Sequence, residues 1–149
     1  MDIKKFTAAD IPACAAGLAE AFNAPPWSEN WRYERALEYV TDFFHHPKFF
    51  GFILSDGESD AAYALCYERY WYCADDRYEI YLDTFFVRPE FQSKGYGREL
   101  MKFLENYSTE HNLRNIMLLT KRDMDCYHFY HGVGFSDVEN LVILSKEVN

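Results

Sequence analysis

The chain has 149 residues, 49% of them hydrophobic, with 12 Tyr and 13 Phe, so it is long enough for one sizeable core and too apolar to be disordered. A net charge of −9 argues against nucleic-acid binding. No apolar run approaches a membrane span, and Met1–Phe6 lacks the apolar region of a signal peptide, so a soluble cytoplasmic protein made of one domain, 1–149, is expected.

Ile3–Phe6 reads as a first strand. Thr7 followed by Asp10 has the spacing of a helix N-cap with an acidic third residue. Ile11, Ala15, Leu18 and Phe22 recur at helical spacing, with Pro12 in the tolerant first turns, and predict a helix over 8–23. Asn23-Ala-Pro-Pro-Trp27 breaks it. Ser28 is the expected cap of a second helix, with Tyr33, Leu37, Val40 and Phe44 on one face and Glu34, Glu38 and Asp42 on the other. His45-His46-Pro47 ends it; neighbouring histidines diverge, so they are not expected to bind metal.

Phe49–Ser55 reads as a strand, Asp56-Gly57-Glu58-Ser59 as a hairpin turn, Ala61–Cys73 as a long strand, Asp75-Asp76 as a turn and Tyr78–Val87 as another strand. Pro89 cannot donate to a ladder and should end that strand. Gly95 and Gly97 then precede Leu100, Phe103, Leu104 and Tyr107, which predict a helix over 95–110. A strand at Ile116–Thr120, a short helix over 124–132 stopped by Gly132 and Gly134, and a closing strand at Leu141–Lys146 complete the order β-α-α-β-β-β-α-β-α-β-β. Cys14, Cys66, Cys73 and Cys126 form no CxxC pair and are expected to be buried free thiols.

The strand–turn–helix junction at 83–100 is the part with chemical content. Gln92–Gly97 can aim successive backbone N–H groups and a helix N-terminus at one anion. It is not a dinucleotide-binding GxGxxG turn, because position 100 is Leu and Gly95 comes eight positions after Val87. The GxxxxGK pattern of phosphate-binding NTPase loops is absent.

Val87-Arg-Pro-x-x-Gln92-x-x-Gly95-x-Gly97-x-x-Leu100 resembles the acetyl-CoA-binding motif of the GNAT superfamily of N-acetyltransferases, and Phe129-Tyr130-x-x-x-Gly134-Phe135 resembles a late motif of the same superfamily. The resemblance implies a mixed α/β GNAT fold, with a mixed, mostly antiparallel central sheet flanked by helices. It implies acetyl transfer from acetyl-CoA to a primary amine. That chemistry needs a base, since an amine of pKa about 10.4 gives up its proton at pH 7 at a cost of about 4.6 kcal/mol. It also needs an acid for the leaving thiolate and a polarised thioester carbonyl.

By the resemblance, Tyr130 is the acid, with Tyr127 on a similar helix face as the alternative. The common glutamate base position, six residues before the motif valine, holds Tyr81. Diamine and polyamine acetyltransferases place a strand glutamate at the position of Asp83, which makes Asp83 the first choice of base and Glu79 the second; either acid could instead only attract a cation. Phe85, Phe86 and Val87 are expected to pair with the pantetheine arm. Gln92, Ser93, Lys94, Gly95, Tyr96, Gly97 and Arg98 are expected to hold the pyrophosphate, and Asp123 and Phe129 to lie near the cofactor. Asp123 stands where relatives often carry Asn, and is unfavourable there unless it caps the helix at 124.

The resemblance implies an acceptor pocket built from Phe22–Trp31, Glu34, Glu38, Tyr81 and the Tyr70-Trp71-Tyr72 run, with Trp27 and Trp31 foremost. Residues 1–83 carry 15 acidic and 7 basic groups, residues 84–149 carry 9 and 8. Aromatics and carboxylates together suit a cation with an apolar stem, although acidic surfaces also serve solubility. A small cationic amine, polyamine- or aminoglycoside-like, is the favoured partner; peptide amines, an acyl-CoA-binding regulatory protein without turnover, and an acidic interaction module remain alternatives. His128 and His131 do not suffice for a metal site, and none is expected. A homodimer is compatible with the superfamily.

Overall fold

The computed structural model describes residues 1–70 and 76–149. It contains two compact units, Met1–Leu119 and Thr120–Asn149. The first holds β1 (Asp2–Lys5), α1 (Ile11–Asn23), α2 (Tyr33–Phe44), β2 (Phe49–Asp56), β3 (Ser59–Tyr70), β4 (Tyr78–Val87), α3 (Tyr96–Glu110) and β5 (Ile116–Met117); the second holds α4 (Asp125–Gly132).

The strands lie in the order β1-β2-β3-β4-β5. Pairing is antiparallel up to β4 and parallel between β4 and β5, the mixed, mostly antiparallel sheet implied by the motifs. Side chains alternate along β2, so the sheet has two apolar faces. Ile53, Tyr63, Leu65 and Phe86 pack with Cys14, Leu18, Ala36 and Val40 of α1 and α2. Phe52 meets Phe103 of α3 at 4.8 Å and Phe50 stacks on Tyr107 at 5.0 Å. Leu100, Met101 and Leu104 are fully buried on α3. No helix among the described residues is long and apolar enough to cross a membrane. Cys14 and Cys66 are buried free thiols, Cys126 is half-buried and free, and Cys73 lies outside the described residues.

The predicted helix over 8–23 opens as a 3₁₀ turn, Ala8–Asp10, before α1; Thr7 precedes that turn, and its N–H and hydroxyl both donate to Asp10 Oδ2, at 2.8 and 3.0 Å, while Asp10 holds the N-cap of α1. Ser28, by contrast, caps nothing. α2 begins at Tyr33 with Arg32 at its N-cap, and Ser28 sits at φ +47 inside the connection. The Asn23 side chain bonds the backbone of Trp31 in both directions, Nδ2 to Trp31 O at 2.9 Å and Trp31 N–H to Oδ1 at 2.7 Å, and so holds the segment as a loop. The buried stripe of α2 is wider than the predicted one: Leu37, Val40 and Phe44 pack in the core as expected, joined by Ala36, Tyr39 and Phe43, and Tyr33 alone of the predicted face falls outside it. Ala36 and Val40 are buried, Tyr39, Phe43 and Phe44 half-buried, and Tyr33 is 42% exposed.

β3 ends at Tyr70, and the predicted extension over 71–73 and the Asp75 half of the turn lie outside the described residues. β5 has two residues rather than five. Leu141–Lys146 forms no strand, and Leu141, Val142, Ile143 and Leu144 are exposed. A strand exists only by pairing, and the second unit contains no other strand among its described residues.

Candidate active site

β4 ends at Val87, and a single 3₁₀ turn, Pro89–Phe91, leads into the glycine segment. Ser93 (φ +62) and Gly95 (φ +87) are both left-handed, which curls the backbone around Lys94. A Cβ on Gly95 would meet nothing within 4 Å, so glycine is required there by backbone conformation and not by crowding. The first backbone bond of α3 runs from Glu99 N–H to Gly95 O at 3.1 Å. The N–H groups of Gly95, Tyr96 and Gly97 therefore have no intrahelical acceptor and, with the helix dipole, suit an anion.

Gln92 does not aim its side chain into this turn: its Nε2 donates to Val87 O at 3.0 Å and ties the turn to the strand end. The Tyr96 hydroxyl donates to Asp56 Oδ2 at 2.6 Å, pinning the helix start to the β2–β3 hairpin. Lys94 lies 5.5 Å from the Phe91 ring centroid and brings a cation beside the turn. Gly97 is buried in the first turn, while Arg98 is exposed.

β4 pairs with β3 along its length but with β5 only at Ile80 and Tyr81. From Leu82 to Val87 its outer edge has no strand neighbour among the described residues. Phe86 can contribute only backbone there. Its ring is buried, stacked on Tyr63 at 5.0 Å and against Phe22 at 5.9 Å.

Between Leu65 and Cys66 of β3, the β4 partner jumps from Thr84 to Leu82. Asp83 is thus the extra residue of a β-bulge, a feature that re-aims side chains. The half-buried Asp83 carboxylate turns toward α2, where Tyr39 Oη donates to Oδ2; Thr84 Oγ1 donates to the same oxygen at 2.8 Å. Burial, and then the bond to Asp83, push the Tyr39 phenol above its ordinary range. Tyr39 and Thr84 were not among the sequence-derived candidates. The sequence signal for Tyr39 is its place on α2 one position before Val40, at the margin of the predicted apolar face.

Glu79 and Tyr81 share this face. Tyr81 packs on Tyr67 at 5.1 Å with the Arg69 guanidinium 5.0 Å from its ring. Burial, and then the Asp83 charge, raise the Tyr81 pKa. Glu79 is 1% exposed and accepts from Arg69 Nε at 2.9 Å, leaving Oε1 without a partner. Its carboxylate is committed to an ion pair, whereas Asp83 Oδ1 accepts no hydrogen bond among the described residues. Arg69→Met should therefore lower stability by about 2 kcal/mol, less than for a wholly buried pair because Arg69 is 37% exposed. A urea midpoint measures this, and an unchanged midpoint contradicts it.

Of the acceptor candidates, Trp31 contacts the partner of Asp83: its ring meets Tyr39 edge-on at 5.6 Å, and its indole N–H donates to Glu29 Oε1 at 2.7 Å. Trp27 packs on Phe22 at 5.3 Å. Glu34 and Glu38 are exposed, Glu34 in the first turn of α2 and Glu38 bonded to Arg35 at 3.1 Å. Tyr70 is exposed and stacks on Tyr78 at 4.2 Å; Trp71 and Tyr72 lie outside the described residues.

In the second unit, Tyr130 sits in α4 between Phe129 (5.4 Å) and Phe135 (5.5 Å). Phe135 N–H donates back to Tyr130 O at 3.0 Å past Gly134 at φ +102. Tyr130 is half-buried, and burial raises its phenol pKa, so it is protonated at neutral pH. Tyr127, the alternative acid, donates to both oxygens of Asp137 at 3.0 and 2.9 Å. His131 and Arg122 bond the same carboxylate at 2.9 and 3.1 Å, so His131 is engaged as well. Asp123 is exposed and is not the cap of α4; that position is Met124.

The model of the acetyltransferase (GNAT) family matches residues 16–135, which include parts of both units. No curated protein matches the chain in sequence. Solved structures do. The aminoglycoside antibiotic 6'-N-acetyltransferase AAC(6')-IG from Acinetobacter haemolyticus is 16% identical over 100% of both chains, with a TM-score of 0.74. Aminoglycoside N-acetyltransferase AAC(6')-Iy in complex with CoA is 16% identical over 99% of this chain and 95% of its own, at 0.73. An aminoglycoside acetyltransferase from an uncultured soil metagenomic sample, in complex with sisomicin, is 14% identical over 99% and 96%, at 0.75. At such identities the likeness is one of fold.

Proposed function

The chain belongs to the acetyltransferase (GNAT) family, and from that premise we propose that it acetylates a primary amine of a small polycationic acceptor, aminoglycoside- or polyamine-like, within a single catalytic domain. The observation that carries this reading is the half-buried Asp83 carboxylate at the β4 bulge, with one oxygen accepting no hydrogen bond among the described residues, on the same strand that runs into the glycine turn.

The residues present fit acetyl-CoA. The left-handed Ser93 and Gly95 and the first turn of α3 suit its pyrophosphate, with Lys94 beside them. The outer edge of β4 from Phe85 to Val87 suits the amide-bearing arm. When bound, acetyl-CoA supplies a thioester carbonyl for the amine to attack and a thiolate to leave. Asp83 takes the proton of the incoming ammonium ion. Tyr130 holds a proton for the leaving sulfur, a role that rests on its place in the Phe129-Tyr130-x-x-x-Gly134-Phe135 motif. Tyr81, which stands where many relatives carry the base, becomes an aromatic wall for the acceptor together with Trp31.

Two facts favour a polycation. Acidic groups exceed basic ones by 15 to 7 over residues 1–83, which raises the local concentration of cations. Three structures of like fold are aminoglycoside acetyltransferases.

The test is thiol release from acetyl-CoA with sisomicin, spermidine and a lysine-containing peptide, products identified by mass. Sisomicin or spermidine should support turnover and the peptide should not. Tight binding of acetyl-CoA with no turnover on any amine would instead favour a regulatory acyl-CoA-binding protein. Tyr130→Phe should lower kcat about 10- to 100-fold with the thermal midpoint kept, since the ring packing is retained; an unchanged kcat removes Tyr130 from the mechanism.

A further inference from the structure

We propose that Tyr39 and Thr84 are positioning residues that clamp one oxygen of Asp83, so that the other, Oδ1, is the atom presented to the acceptor amine. This inference rests on Asp83 being the base.

Proton counting supports it. A tyrosine and a threonine hydroxyl each carry one proton. The Asp83 carboxylate has none to give, so both short contacts to Oδ2 require that both hydroxyl protons point at it. The 3.2 Å approach of Tyr39 Oη to Thr84 Oγ1 then has no proton left and is only proximity. Two donors on one oxygen fix the carboxylate plane. Oδ1 is left without a donor among the described residues, as a base awaiting its substrate requires.

The clamp is assembled from distant parts of the chain. Thr84 is 5% exposed and follows the bulge. Tyr39 comes from α2 and is held by Phe43, stacked at 6.5 Å, and by the edge of Trp31. Because burial and Asp83 keep the Tyr39 phenol protonated through the physiological range, it remains a donor. Trp31 is itself fixed by Asn23 and Glu29. The acceptor-side loop and the base are therefore mechanically joined through Tyr39.

The test uses Tyr39→Phe, Thr84→Val, Thr84→Ser and Asp83→Asn in the full chain, with sisomicin and acetyl-CoA. Tyr39→Phe and Thr84→Val should each lower kcat about 5- to 20-fold, with the acceptor KM within about twofold of wild type. Thr84→Ser, which keeps the hydroxyl, should restore most of the rate. A second readout needs no ligand: in protein labelled with 3-fluorotyrosine, the ¹⁹F resonance lost in Tyr39→Phe should shift in Asp83→Asn.

An unmoved resonance overturns the clamp. So does wild-type kcat in both Tyr39→Phe and Thr84→Val when Asp83→Asn is inactive, and so does a rise in KM that accounts for the whole loss. Full activity in Asp83→Asn is a different failure: it removes the base assignment on which the clamp depends.

Discussion

Asp83→Asn lowers kcat for amine acetylation by about 10²- to 10⁴-fold, the usual contribution of a general base, and leaves CoA affinity within a few-fold. Asparagine is nearly isosteric and keeps an oxygen that can accept from Tyr39 and Thr84, so the bulge and its packing survive. What it cannot do is take a proton. Steady-state kinetics, calorimetric CoA titration and a thermal melt separate the three quantities. Retention of rate within threefold would remove Asp83 as the base. Glu79→Gln gives a contrasting pattern, because Glu79 is buried against Arg69 and its substitution acts first on stability. If Glu79→Gln melts normally and loses activity while Asp83→Asn does not, the two carboxylates exchange roles.

Gly95→Glu raises the KM for acetyl-CoA about tenfold or more. Two effects combine. A side chain at φ +87 costs about 1–2 kcal/mol of backbone energy. A carboxylate beside a bound pyrophosphate adds repulsion of about 1–4 kcal/mol, depending on the local dielectric. Nothing lies within 4 Å of the added Cβ, so the fold itself should persist. Gly95→Ala isolates the first effect: it should lose about 1 kcal/mol of stability with a smaller change in KM. Calorimetric CoA titration of both variants decides the matter. If Gly95→Glu binds CoA as well as wild type, the turn is not the pyrophosphate site.

Much of this protein is legible in its sequence because its most informative features are local. The turn at 92–97 needs a left-handed residue and a free helix start, and a strand ending before Pro89, Gly95 and the apolar spacing of α3 specify both within twenty positions. The late Phe129-Tyr130 motif is equally compact, and the family match covers both. β2, β3 and β4 follow one another in the chain and pair antiparallel, whereas β1 joins β2 across two helices and β5 joins β4 in parallel after α3.

Tertiary structure decided what depends on partners far along the chain. A bulge is defined only against the strand it faces: period-two spacing in β4 cannot reveal that β3 skips Asp83. Tyr39 reaches Asp83 across 44 residues, a contact that spacing along α2 cannot reveal. Leu141–Lys146 has strand composition but no strand, since composition supplies propensity and only a pairing partner supplies hydrogen bonds. The sequence by itself determined the family and already ranked Asp83 ahead of Glu79 among the acids. The fold added the burial and partners of each carboxylate, which are set by contacts that no local pattern encodes.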